Sequence, residues 1–464
     1  MSCIAGRAQD KWDLRRCMEY AVSNNISVKQ SDVQARIYAL TLRLNKLSQY
    51  PTLGLNGGLA LSSGRSQDPS NYSLITTTYT SNSYNLSSAV TLFNWFSKRN
   101  FIEGSRYDWL AASAGTDKIK NDISLNVANA YLQVLLAIQQ TNAAALQLHL
   151  SRSQLDNTKK QVAAGALPEL NAAELESQLA QDSSSFITTR ASIDLAVLTL
   201  KAYMGLDAAA PFEVDTPPVE TIPIEKLADL QPEAIYSLAL VNQPLQKVDQ
   251  LQLRSAQKYV AANKGARNPT LSLSGNLGTN YVSLGRQVNP ASVYLKNDTI
   301  GQVTVGLTPY PVVTEGVGYS LRKIPYFSQL NQNFGQEIGL NLNIPIFNSG
   351  TLRISYEKSK LNLRNTELQR DQDNLTLKQN IYQAYSAAVT AQQKFEANKK
   401  TLTATKKSFD FANKRYNVGM LNTIDLLTNQ NNFFKAQIDL LYAQFDYVFK
   451  MKVLEFYKGE GLKL

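Results

Sequence analysis

The sequence predicts a mixed α/β protein, built twice over, that is either soluble or a membrane protein in which strands rather than helices meet the lipid. Three observations predict it. The chain repeats itself: Tyr50-Pro51-Thr52-Leu53 matches Asn268-Pro269-Thr270-Leu271, Leu92-Phe93-Asn94 matches Ile346-Phe347-Asn348, and Gly165 matches Gly419. The first match has an offset of 218 and the other two share an offset of 254, so the second copy carries a 36-residue insertion. Within each copy the apolar spacing switches between the helical period and the strand period. Finally, no run of 18 apolar residues exists, which leaves no transmembrane helix in the sequence.

Taken in order, residues 12–47 read as helix, because Leu14, Cys17, Ala21, Val28, Val33, Ile37, Leu40 and Leu44 recur at three- and four-residue steps until Pro51. The period then becomes two: Leu53, Leu55, Leu59 and Leu61 share one face, and Thr52, Gly54, Asn56, Gly58 and Ala60 the other. A turn-rich stretch over 62–82, with Gly64, Asp68-Pro69 and Asn71, separates this strand from a second at 84–93. Helix follows from Phe101 to about Val162, a rod of roughly 90 Å at 1.5 Å per residue. It reverses at Gly165-Ala-Leu-Pro168 and resumes over 172–206. Pro211, Pro217, Pro218 and Pro223 mark an irregular connector.

The second copy repeats the order: helix over 232–263, a strand near 269–278, and a long Gly-, Pro- and Tyr-rich segment holding the insertion. Within it, residues 299–307 have the alternation of an additional strand, expected in an external loop. The clearest strand, about 337–347, places Ile338, Leu340, Leu342, Ile344 and Ile346 opposite Gly339, Asn341 and Asn343. Helix then runs over 352–417, breaks at Gly419 and continues over 423–456. The expected organisation is an N-terminal tail or leader remnant (1–11), a first repeat (12–210), a connector (211–229), a second repeat (230–456) and a C-terminal tail (457–464). In the tail, Gly6-Arg-Ala8 has the small residues of an export cleavage site, and Cys3 reads either as part of that leader or as a lipidated cysteine.

Composition narrows the function. Charged residues are 18% of the chain, and the formal net charge of +10 is dispersed along the helices with no basic cluster, which argues against nucleic-acid binding. The two cysteines offer neither a disulfide framework nor metal spacing. His149 is the only histidine, which excludes a histidine-based triad or a multi-histidine metal site. No phosphate-binding loop of the G-x-x-x-x-G-K-[ST] type occurs. An enzyme is not expected, nor a cofactor. Four strands with one apolar face suit either a half-buried soluble sheet or part of a lipid-facing barrel with a wet lumen. Four cannot close a barrel alone, so the second reading requires several chains.

The segments Trp12-Asp-Leu-Arg-Arg-Cys-Met-Glu-Tyr-Ala-Val-Ser-Asn-Asn25, Val90-Thr-Leu-Phe-Asn94, Leu342-Asn-Ile-Pro-Ile-Phe-Asn-Ser-Gly350 and Arg415-Tyr-Asn-Val-Gly-Met-Leu-Asn-Thr-Ile-Asp425, in this order inside a duplicated frame, resemble the TolC family of outer-membrane factors, with a flavour of its Bacteroidetes-type members. The resemblance implies a homotrimer whose 12-stranded outer-membrane barrel, four strands per chain, continues into a periplasmic α-helical barrel. It implies a passive, gated export duct that works with a periplasmic adaptor and an inner-membrane pump. The alternatives are a type I secretion duct for a protein substrate and, from a different class, a soluble helical scaffold or stalk.

By the same resemblance the connector and C-terminal residues form an equatorial band. The reversals Gly165-Ala166-Leu167 and Gly419-Met420-Leu421 form an adaptor-docking tip, and Asp425 and Thr428 take the family's pore-constriction positions. The second of these is acidic in many members and is Thr428 here; a basic residue found two after the second glycine is replaced by Leu421. Gate contacts are then expected from Lys414 or Arg415 to Glu169 or Glu174. Leu340, Leu342 and Ile344 are expected to face lipid. Read without the resemblance, Asp425 is an ordinary first-turn acid stabilised by the helix dipole.

Overall fold

A computed structural model describes residues 11–67, 72–217 and 222–459. Cys3, the leader motif, Asp68-Pro69, Asn71, Pro218 and residues 460–464 lie outside them. The helices come in matched pairs. α1 (Leu14–Asn24) and α5 (Pro232–Asn242) each have 11 residues, and α2 (Ile26–Leu47) and α6 (Pro244–Gly265) each have 22. α3 (Ser97–Ala163) and α8 (Thr351–Asn417) each have 67, about 100 Å at 1.5 Å per residue. α4 (Glu169–Met204) and α9 (Thr423–Lys458) each have 36. A seven-residue helix, α7 (Tyr326–Gln332), has no counterpart among the described residues of the first copy.

The single helices expected at 12–47 and 232–263 are each broken, at Asn25 and at Gln243-Pro244. The break has the same chemistry in both copies. Asn25, 8% exposed, donates its side-chain amide to the Tyr203 carbonyl at 2.8 Å; Gln243, also 8% exposed, donates to the carbonyls of Phe456 at 2.8 Å and Tyr457 at 3.1 Å. A buried amide thus satisfies carbonyls left open at the C-terminal end of a long helix, at the cost of one interrupted turn. In the first copy the periodicity of apolar residues passes through the break unchanged, which makes it invisible to pattern reading; in the second, Pro244 is a local break signal inside the expected 232–263 helix.

Contacts divide the chain into two compact units that cut across the repeats: one of Arg43–Ile102 and Val260–Lys358, and one of the remaining described residues. In the helical unit, one core gathers Leu14, Cys17, Val127, Tyr131, Val134 and Leu200, and a second gathers Leu230, Ile235, Ile381, Met451 and Leu454. Connector residues close over these cores: Trp12 N–H donates to Glu213, Asp215 N–H donates back to Trp12, and the Tyr131 hydroxyl donates to the Asp215 carbonyl at 2.7 Å. Burial pushes the Cys17 thiol up to about 12, so it packs as a small apolar residue. The Lys452–Glu455 pair, 2.7 Å apart and buried, is anchored further by Glu225, whose N–H donates to Glu455 at 3.1 Å.

The other unit holds an antiparallel sheet in the order β1 (Thr52–Gln67), β2 (Leu74–Phe93), β3 (Thr270–Val282), β8 (Gly335–Asn343). Register fixes its faces, since residues directly opposite share a side. Leu55, Leu86 and Leu277 form one row, Val90, Leu273 and Leu340 another, and Leu271 stands opposite Leu342. The opposite face carries rows such as Gly54, Ser87, Asn276 and Glu337. β1 and β2 run further than the sequence reading allowed, through part of the stretch expected to be turn. There Ser63 bonds Thr78 across the ribbon at 2.7 Å, and the apolar alternation that marks a strand fades because neither face is uniformly apolar. β8 ends earlier than expected, so Ile344 lies just past it, exposed, ahead of Pro345, whose missing N–H cannot continue the ladder.

The insertion is more ordered than a loop. β4 (Arg286–Val288) pairs with β7 (Leu321–Lys323), and β5 (Tyr294–Val305) pairs with β6 (Thr308–Gly318) around Gly306 at φ 70°. The expected strand at 299–307 is the distal half of β5 and its turn. At the opposite end of the sheet, strand passes to helix through two consecutive left-handed residues in each copy: Trp95 and Phe96 (φ 51° and 59°), and Ser349 and Gly350 (φ 55° and 76°). Non-glycine residues there cost about 1–2 kcal/mol each. In the first copy the turn is held by Phe93 packing on Trp95 and Phe96, with ring centroids 5.6 and 5.7 Å apart, and by the Gly265 backbone, where a Cβ would come within 2.7 Å of the Trp95 carbonyl.

Candidate channel tip and constriction

The two helical reversals are the same structure made from different residues. α3 ends in a cap where Gly165, at φ 73°, donates to Val162 at 2.9 Å and Ala166 donates to Gln161 at 2.9 Å. α8 ends with Gly419, also at φ 73°, donating to Tyr416 at 2.9 Å and Met420 donating to Arg415 at 2.8 Å. This paired closure satisfies the last carbonyls of a helix and requires a left-handed residue at the glycine position. A Cβ at either glycine would meet nothing within 4 Å, so backbone conformation and not crowding within the chain demands glycine here.

The return helices start differently. Pro168 precedes α4 without a side-chain cap, whereas Asn422 caps α9 by accepting from the Asp425 N–H at 2.7 Å. Asp425 is thereby fixed in the first turn, where the positive helix end favours a carboxylate. Thr428, one turn on, returns its hydroxyl to the Ile424 carbonyl at 2.8 Å. Both side chains are exposed, and their three-residue spacing puts them on one side of α9. The opposite side is core: Leu426 is fully buried against Phe409 and Ala412, and Phe409 stacks on Phe433 with centroids 5.7 Å apart.

Leu167 and Leu421 occupy equivalent half-buried positions, while Gly165, Ala166, Gly419 and Met420 are exposed. Beside them stand large exposed apolar residues that the sequence reading did not single out: Leu170 and Ile424, which correspond between the copies, and Val418. Superposing the repeats would have found the first two. Within one chain Lys414 and Arg415 do not meet Glu169 or Glu174. Arg415 instead donates to the Met420 carbonyl at 3.3 Å, and the ion pair bridging α3 and α4 near this end is Lys159–Glu176 at 2.7 Å.

Two polar links between the hairpins were also missed. The Thr158 and Tyr416 hydroxyls lie 3.2 Å apart, joining α3 to α8. Higher up, the buried Asp182 carboxylate accepts from Ser151 at 2.5 Å and Gln178 at 2.9 Å. Ser151 in turn accepts from Gln430 at 3.0 Å, and Gln178 exchanges bonds with Asn431. This network ties α3, α4 and α9, and its residues are widely separated in sequence, so no local motif announces it. Among the described residues no cluster of three or more His, Cys, Asp or Glu could hold a metal, and no helix is long and apolar enough to cross a membrane.

Comparison with known proteins completes the picture. A family model described as outer membrane efflux protein matches residues 19–206 and 235–455. The chain is 20% identical over 436 residues to the probable efflux pump outer membrane protein TtgC of Pseudomonas putida, covering 92% of this chain and 79% of that one. It is 22% identical over 452 residues to the outer membrane efflux protein BepC of Brucella suis, covering 96% and 85%. A crystal structure of CusC superposes with a TM-score of 0.78 at 17% identity, covering 97% of this chain and 92% of that one.

Proposed function

The chain belongs to the outer membrane efflux protein family, and from that premise we propose that three copies close one 12-stranded barrel in the outer membrane. Its activity is export across that membrane, with the β-strand unit in the bilayer and the helical unit in the periplasm. The observation that carries the trimeric reading is the sheet itself. One face is apolar and largely exposed, with Leu53, Leu55, Leu59 and Leu61 on β1 and Leu340 and Leu342 on β8, while the other is small and polar. Among the described residues β1 and β8 are free edges within one chain, and an unpaired edge in hydrocarbon costs several kcal/mol per backbone group. The four strands alternate in direction, so β8 of one copy can continue antiparallel onto β1 of the next until the ring closes.

The tip is the docking end. Val418, Met420 and Ile424 in one reversal, with Ala166 and Leu170 in the other, give an adaptor helix apolar contacts around two glycine turns, and an inner-membrane pump supplies the energy. Asp425 lines the constriction, one carboxylate per copy, and favours cations. Lys414 and Arg415 close the gate across copies rather than within one. The β5–β6 ribbon stands on the extracellular side, away from the strand-to-helix turns.

Planar-bilayer recording of the purified protein tests this reading. The expected result is stepwise conductance with cation preference that Asp425→Asn reduces, and Gly419→Trp abolishing export in cells while assembly persists. Absence of channels, or cation preference unchanged in Asp425→Asn, would overturn the assignment of the duct or of its constriction.

A further inference from the structure

The two copies differ where the second short helix crosses the long one. In the first copy the central contact of α2 with α3 is neutral: the hydroxyls of Ser31 and Thr116 lie 3.0 Å apart, beside the buried Val28 and the partly buried Ile119, with Lys29, Asp32, Arg36 and Lys120 in the groove around them. At the corresponding positions of α6 and α8 stand Asp249, Arg370, Gln246 and Asp373. The same helix lengths and the same crossing are therefore built in one copy with uncharged residues at these four positions, so packing does not require the acids in the other.

Asp249 is 4% exposed, and its Oδ2 is buried with no hydrogen-bond partner. Its carboxyl faces that of Asp373, which also accepts from the Gln369 amide at 3.1 Å. The charged groups acting on Asp249 are Asp373 and Arg370, both on α8, and Arg370 is already paired with Asp371 at 2.7 Å. Two facing carboxylates repel, and a buried one without a donor is unsatisfied; one proton held between them removes both faults.

We propose that Asp249 and Asp373 form a single-proton site that clasps α6 to α8 when protonated and loosens that crossing when the proton leaves. In the clasped state the Asp249 carboxyl donates to the Asp373 carboxylate. On deprotonation the proton passes to solvent and two carboxylates remain face to face. Burial, and then the charge of Asp373, hold the Asp249 carboxyl up at about 6, with Arg370 acting in the opposite direction. Because the folded value lies above the ordinary one of 3.8, the stabilisation is complete below about pH 4 and is lost as pH rises through about 6. The crossing of α2 and α3 has the hydroxyls of Ser31 and Thr116 at the corresponding positions, with its acid Asp32 half-exposed and paired to Arg36, and is an internal control. The inference concerns this crossing alone and stands apart from the export function.

Hydrogen exchange of the intact detergent-solubilised protein, corrected for intrinsic pH dependence, tests it. Protection of residues 244–256 and 366–380 should fall between pH 4 and 6.5, with a slope approaching tenfold per pH unit for a one-proton step, while residues 26–38 and 112–126 stay level. Asp249→Asn and Asp373→Asn should each remove the step. A wild-type profile that is flat, or that falls equally in both copies, overturns the site without recourse to any variant. A step that survives in a folded Asp249→Asn protein overturns the assignment to this pair.

Discussion

The first and second copies share backbone more strictly than side chains. The strand-to-helix turn uses Trp95-Phe96 in one and Ser349-Gly350 in the other, yet both place two successive residues at positive φ. The kink clamp uses Asn25 in one and Gln243 in the other, yet both deliver an amide to the end of a 36-residue helix. Where the copies agree, geometry is being kept; where they differ, chemistry has been free to change. The tip is the clearest case: the glycine caps are the same, and only the second return helix carries the Asn422 cap and Asp425.

The comparison can be broken by equivalent substitutions. The largest effect is expected on the apolar face of the sheet. Leu340→Arg and its counterpart Leu86→Arg should each cost about 2–4 kcal/mol if near the bilayer midplane, seen as loss of folded protein from the outer-membrane fraction. Asn341→Arg, on the other face, should insert normally. If the two leucine variants inserted as well as wild type, the faces would be misassigned.

Next come the clamps. Asn25→Ala and Gln243→Ala should each destabilise by roughly 1–3 kcal/mol, because buried carbonyls lose their donor. Chemical denaturation of the solubilised protein would show it, and a cost confined to one copy would end the claim of equivalence. The smallest pair is Gly165→Ala and Gly419→Ala. Each should cost about 1 kcal/mol through the left-handed cap, with little else disturbed since the space around both is open. Exchange in the last turns of α3 and α8 is the readout, and unequal fraying would mean that the caps do different work.

Much of this was legible in the sequence because it rests on local chemistry. Period-two leucines gave the sheet faces, glycines gave the reversals, and repetition gave the paired hairpins. The break at Asn25 was not legible, because its amide acts through a carbonyl about 180 residues away while the apolar stripe stays intact; the break at Gln243 was announced by Pro244, and only its clamp, to a carbonyl about 210 residues away, was hidden. The ends of β1 and β2 were missed for the opposite reason: Ser- and Thr-rich stretches such as 76–81 carry no apolar alternation even when paired. Lys414, Arg415, Glu169 and Glu174 could be named from the resemblance, but their pairing is not set by one chain, and Arg415 takes a local carbonyl instead. The Asp182 network needed three helices to be placed before its members could be seen as neighbours.

The central claim is that the free edges of this sheet are closed by other copies of the same chain. Single-particle imaging of the protein extracted from membranes in detergent tests it most directly. Three-fold particles with a short closed barrel of 12 strands and a long hollow helical body, Asp425 nearest the axis at the far end, are the predicted result. A protein recovered without detergent, or particles in which β1 and β8 remain unpaired, would contradict it.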